Sequence, residues 1–425
     1  MGRLDTLDAV GVKALDYYAH QDERQLEAES LGRRARALHL LGEISNLKGD
    51  VDVALARFTL AAQTTKRQLE LDPTNPQRIF DHAQSVFWLG LLAYYEGRYS
   101  DVRPAFDEYL AFAEQLVAID GEDERWLTEL FYAHQNLGAL LVEQQRWQEA
   151  VVSFDRALEV LVELEQLGYP QTQSRADLNS WLRDAHLPQL NFEQAQFHSA
   201  QETIGYQTLL EQDPGNAMYR MALAVSFRGD AKFAMINNDI EGALGLLLPQ
   251  QMEIMQLIAV EPDNTALLEQ QALLYRQISS IRLLQGEWEL AASLANTCKE
   301  LAESLQKRND SNLFWRTGID WPCTHIVAAV ALHLGQIAQA SDKVNSYFPQ
   351  LMKMYEDNTA GRDVEMVLAN SALLLGDIAL ASGNQSEAVT YWQQVNTVLG
   401  DEPESLTPRS IVVLITALKL SLIHI

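Results

Sequence analysis

Helix breakers, cysteines and positive charges are all scarce in this sequence. Its 425 residues include 2 cysteines, 12 prolines and 22 glycines. Cys298 and Cys323 alone cannot build a disulfide framework or a cysteine zinc site, and so few cysteines suit a reducing, cytoplasmic setting. Little proline and glycine leaves room for long helices. Lys and Arg number 32 against 58 Asp and Glu, a formal charge of −26. A surface of that sign repels phosphate backbones, which argues against nucleic acid as a partner. Long apolar runs are missing as well. The longest, 411–420, is interrupted by Lys419 and falls short of the ~20 residues a membrane span needs.

Motifs for chemistry are absent too. There is no Gly-rich phosphate loop ending in Lys-Ser or Lys-Thr, no His-Glu-x-x-His and no Gly-x-Ser-x-Gly elbow. The closest acid–histidine neighbours are Asp81 with His82 and Asp184 with His186. Residues one or two apart do not face each other on a helix. No catalytic group, metal site or cofactor is assigned.

What is present is a repeat. A small residue lies in an apolar helical stretch, a turn follows seven positions later, and a second small residue five after that. Gly42, the turn Gly49-Asp50, Ala54 and Phe58 set the frame, which returns 48 positions on at Gly90 and again at Gly138 with Ala150, Phe154 and Ala157. It fits Ala231, Ser279, Ala328 and Gly376, the last with Trp392, and more weakly Arg183 with Ala195. Between units the loops read Asp72-Pro73-Thr74-Asn75, Asp120-Gly121-Glu122-Asp123, Asp213-Pro214-Gly215-Asn216 and Glu261-Pro262-Asp263-Asn264. Such loops stop one helix and cap the next. Two independent markers at one period predict an all-α chain, a solenoid of about eight antiparallel helical hairpins.

The order small residue, turn, alanine, aromatic, alanine resembles the tetratricopeptide repeat. That family's unit is about 34 residues, so here both helices lengthen to roughly 20 residues, ~30 Å each. The resemblance implies a right-handed superhelix and a non-enzymatic interaction module. The long unit is similar to the helical-repeat regions of bacterial multi-domain signalling proteins.

The organisation expected is a trailing helix over 1–33, regular repeats over 34–167, a degenerate repeat and hinge over 168–216, regular repeats over 217–400, and a truncated repeat over 401–425. The last five residues depart from the pattern. The chain therefore reads as part of a longer array whose uncapped ends favour self-association. Pro188, late in one helix, and Pro249 and Pro349, inside two others, are expected to kink them.

The resemblance also places the binding surface on the first helix of each hairpin, facing a concave groove. The residues so placed include Arg36, His39, Gln84, Tyr94, Tyr132, Gln135 and Asn136 in the first repeats. Trp181, Arg228, Lys232, Arg276 and Gln277 follow further on. Arg276 repeats Arg228 one unit later, and this basic set suits a carboxylate-rich peptide. Three readings stand in order: a protein or peptide scaffold, a ligand- or peptide-sensing receptor, and an enzyme with an unrecognised site.

Overall fold

The computed structural model describes residues 28–357 and 362–399, together with Lys13. The helix expected over 10–19 and the truncated repeat from 401 lie outside these residues. Eight antiparallel hairpins follow one another among the described residues. They pair α1 (Ala28–Lys48) with α2 (Val51–Leu71), α3 (Pro76–Tyr95) with α4 (Tyr99–Ile119), and α5 (Glu124–Glu143) with α6 (Trp147–Gln166). Next come α7 (Thr172–His186) with α8 (Phe192–Gln212), α9 (Ala217–Ile236) with α10 (Ile240–Val260), and α11 (Thr265–Leu284) with α12 (Trp288–Arg308). In the seventh hairpin a π-helical turn, Trp315–Asp320, leads into α13 (Trp321–His333), and the return is split into α14 (Ile337–Asn345) and α15 (Phe348–Glu356). The eighth is α16 (Arg362–Ala381) with α17 (Gln385–Leu399).

Each hairpin turns on one residue with positive φ, always seven positions after the small residue of the sequence frame. These are Gly49, Gly97, Gln145, Leu190, Asn238, Gly286, Gly335 and Gly383. A left-handed residue ends the first helix and frees the chain to reverse, and glycine pays no steric penalty there. Between hairpins, the side chains of Asn75, Asp123, Asn216 and Asn264 accept hydrogen bonds from the first turn of the next helix, as N-caps do.

The aromatics do more than fill the seam to the next hairpin. A Cβ placed on Gly42 would lie 2.5 Å from the Phe58 ring, on Gly138 2.3 Å from Phe154, and on Gly376 2.2 Å from Trp392. Each ring therefore fills the bare helix crossing of its own hairpin. Phe58 also stacks on Trp88 of the following hairpin at 4.9 Å, and Phe154 on Trp181 at 6.2 Å. Stability thus couples nearest neighbours.

Departures from the period have local causes. The small-residue position runs 48 residues from Ala231 to Ser279 but 49 from Ser279 to Ala328. The extra residue falls in the segment that holds the π-helical turn, which widens the helix to absorb it. Arg183 follows Gly138 by 45, and α7 is correspondingly short, with 15 residues. Pro188 lies in the turn after α7 rather than inside a helix. Pro349 marks the break between α14 and α15, whereas α10 runs unbroken through Pro249. Ile240–Val260 and Val364–Ala381 have the length and apolarity of spans, and both are hairpin members packed on their neighbours.

The two cysteines correct the reading made from their number. Cys298 on α12 and Cys323 on α13 form a disulfide. The bond ties the sixth hairpin to the seventh, and cysteine count no longer argues for a reducing compartment.

Candidate functional site: the inner face and its seam

Successive first helices pack on one another (α1 on α3, α5 on α7, α9 on α11, α11 on α13 and α13 on α16). That closeness puts them on the concave side. Polar side chains cross between them about one repeat apart. Arg36 donates to both carboxylate oxygens of Asp81 at 3.0 and 3.1 Å, and His39 Nε2 meets Ser85 Oγ at 2.8 Å. Gln84 donates to Glu129 at 2.5 Å, and Tyr109 donates to the same oxygen at 2.5 Å. Farther on, Arg228 donates to the Gln270 side chain, Gln277 to the Arg228 carbonyl at 3.2 Å, and Arg276 to the Gly318 carbonyl in the π-helical turn.

Six of the twelve candidate groove residues therefore also tie one first helix to the next by hydrogen bonds. Tyr132 is 41% exposed, Asn136 and Gln135 are half-buried, and the Gln135 side-chain oxygen lies buried without a hydrogen-bond partner. Lys232 is exposed, with Nζ 3.9 Å from Asp184. Burial pushes the His39 imidazole down to about 4, with the Arg36 charge acting in the same direction, so His39 is neutral near pH 7. Burial pushes the Glu129 carboxyl up to about 7, against the hydrogen bonds of Tyr109 and Gln84.

The degenerate repeat contains a buried charge network. Arg183 occupies the small-residue position and its guanidinium pairs with Glu202 on α8 and with Asp184. A Cβ on Gly229 would lie 2.5 Å from Arg183 Nη1, so the glycine makes room for the charge. Asp230 beside it accepts from Ser199 at 2.7 Å and Thr203 at 2.8 Å. Arg228, half-buried, lies close to this network. Burial first, then the charges of Arg276 and Arg183, pull its pKa down to about 10. Its Nε has no hydrogen-bond partner.

The superhelix also touches itself. Thr265 Oγ1 donates to the Leu47 carbonyl at 2.8 Å. Leu313 Cδ2 lies 3.0 Å from where a Cβ on Gly97 would be. Gln145 donates to Glu365 at 3.1 Å. The turns of hairpins one, two and three thus rest on the starts of hairpins six, seven and eight. Two clefts open at this seam, of about 140 and 290 Å³, and share Tyr95, Glu269 and Asn312. Glu269 accepts the Trp315 indole N–H at 2.7 Å. Burial raises its pKa, against that hydrogen bond and the Arg228 charge. Burial and then the Glu269 charge push the Tyr95 hydroxyl up to about 12.

Tyr94 and Trp181 were legible from the repeat register. Glu269, Trp315 and Asn312 were not, because superhelical pitch, rather than sequence spacing, brings them to hairpin two. The one local signal was the Asn312 side chain, which accepts from Trp315 N at 3.3 Å in the capping register of Asn264.

No protein-family model matches the sequence, and no curated protein matches it. Solved structures with a similar course of chain do exist. A tetratricopeptide repeat protein from Parabacteroides merdae is 14% identical, with a TM-score of 0.39, over 78% of this chain and 97% of that one. A signal transduction ATPase with numerous domains and a tetratricopeptide repeat sensor, from Pyrococcus horikoshii, is 13% identical. Its TM-score is 0.47, over 98% of this chain and 59% of that one. The human IFIT1 dimer with m7Gppp-AAAA is 14% identical, with a TM-score of 0.37, over 93% and 95%. The hairpins themselves define the class: this is an all-α, tetratricopeptide-like helical-repeat protein.

Proposed function

We propose that the chain is an interaction scaffold, an arm of a larger bacterial signalling protein, that holds an acidic peptide or protein segment in its concave groove. The observation that carries this reading is Arg228. Its guanidinium donates to a neutral amide, Gln270, its Nε is unpaired, and the charges of Arg276 and Arg183 outweigh those of Glu269 and Asp184 around it. A carboxylate would relieve that repulsion and supply a charge-assisted hydrogen bond. Lys232 and Tyr132 add an exposed cation and an exposed aromatic on the same set of helices. The chain's formal charge of −26 disfavours a long polyanion such as nucleic acid. A cytoplasmic setting rests on Cys298 and Cys323 being reduced in the cell, which mass spectrometry after thiol trapping reads directly.

The test is anisotropy titration with fluorescent Glu- and Asp-rich peptides. Lys232→Glu combined with Tyr132→Ala leaves the six hydrogen-bonding residues above in place, although it removes the Lys232–Asp184 ion pair, and it should weaken capture at least tenfold. The triple replacement of Arg228, Lys232 and Arg276 by Glu should abolish it. Unchanged affinity in both variants defeats the proposal.

The seam favours a second reading, a receptor whose ligand alters superhelical pitch. Contacts between successive turns, such as Thr265 with Leu47, must break or slide when pitch changes. A radius of gyration by small-angle scattering that stays constant upon peptide saturation would exclude it.

A further inference from the structure

The larger seam cleft has a lining unlike the rest of the concave face. Tyr94, Tyr95 and Tyr99 come from hairpin two, Trp181 from hairpin four and Phe314 from hairpin seven. Tyr94 lies 6.0 Å from both Tyr95 and Tyr99, at interplanar angles of 73° and 72°. Tyr94 therefore stands edge-on to both neighbours, so the cleft is walled by ring faces on more than one side. Two carboxylates, Glu143 and Glu269, line the same space, and among the described residues no lysine or arginine does. Arg228 tempers the Glu269 charge but is not among the residues lining either cleft.

Aromatic faces attract cations through their quadrupoles, and most strongly where water is excluded. A carboxylate at the cage wall adds charge, and an acidic chain steers cations toward it. An ammonium with free N–H groups keeps its water shell and gains less from such walls. A methylated ammonium is poorly hydrated and presents apolar methyls that the rings can pack against. We propose that the seam cleft binds a methylated ammonium group, with Tyr95 and Trp181 as cation–π walls and Glu269 as counter-charge. The groove arginines do not line this site, and the proposal does not depend on the scaffold reading. Because its walls come from hairpins two, four and seven, occupancy ties the first turn of the superhelix to the second.

The test uses isothermal titration of the full chain with choline, with a peptide carrying trimethyllysine, and with 3,3-dimethylbutanol, the neutral isostere of choline. Saturable binding of choline or of the trimethyllysine peptide, with the neutral isostere at least tenfold weaker, is the expected result. Choline alone points to a free small cation, and the peptide binding tighter points to a modified protein tail. Tyr95→Leu keeps bulk at a position 43% exposed and should weaken binding about fivefold, the scale of one lost cation–π contact. Glu269→Gln retains an acceptor for the Trp315 N–H and should also weaken binding, with an unchanged melting curve as the folding control. Equal binding of the neutral isostere, or no saturation by either cation, overturns the proposal.

Discussion

Phe154 occupies the space that Gly138 leaves empty. Its ring is fully buried, and a Cβ on Gly138 would lie 2.3 Å from it. The same two positions, sixteen residues apart, hold Gly90 with Phe106, Ala231 with Leu247, Ser279 with Ala295, Ala328 with Val344 and Gly376 with Trp392. In the degenerate repeat they hold Arg183 and Ser199. As the first-helix residue grows, the second-helix residue shrinks. Every second-helix member is buried, so each crossing is filled once, from one side or the other.

Gly138→Ala should therefore overpack its crossing at a cost of about 1–3 kcal/mol, and Phe154→Leu in the same chain should recover part of that loss. Hydrogen exchange of α5 and α6 amides reads the local effect. Additive losses in the double variant would mean the two positions are independent.

Leu190 carries a left-handed backbone, φ 62°, at a turn where five of the eight hairpins use glycine. Its side chain is 46% exposed, so little burial is lost with it. Leu190→Gly should stabilise the fourth hairpin by about 1 kcal/mol. Asn238→Gly should change less, since asparagine tolerates this region. Urea denaturation of the two variants makes the comparison.

Glu129 has a pKa raised by burial to about 7. The folded state therefore holds a proton that the unfolded state releases between pH 4.5 and about 7. This contribution is fully present below the unfolded pKa and is lost as pH rises through the folded one. Glu129→Gln, which keeps an acceptor for Tyr109 and Gln84, should raise the melting temperature relative to the parent at pH 8. The two chains should converge near pH 4. A constant difference across that range would remove the titration argument.

The Cys298–Cys323 bond closes a sequence separation of 25. On the chain-entropy account such a loop is worth about 3 kcal/mol. Reduced and oxidised chains should differ by that order in urea, with the loss concentrated in α12 and α13. Both cysteines are fully buried, so trapping of native thiols should be slow even after reduction. Immediate alkylation of both without denaturant would mean they do not pack as described.

Hairpin number and turn positions were legible, because each repeats at a fixed spacing set by local backbone chemistry. Gly49 and Asn75 show why: an αL turn and an N-cap depend on a few neighbouring residues. The repeat register places the candidate residues on the first helices, but it does not give their bonding. Whether Arg36 meets a ligand or Asp81 depends on how closely adjacent hairpins pack. The cysteine pairing and the Glu269 cleft depend on geometry accumulated between and across hairpins, and no window of sequence contains it.

The seam also governs mechanics. A coil spring with open gaps shortens and lengthens with similar ease. Here the turn at Gln145 already rests on Glu365, and Leu47 on Thr265. A spring wound until its coils meet cannot be compressed further and yields only when pulled or splayed. A bulky guest would therefore enter by parting coils, and its residence time would be set by how readily those few contacts reclose.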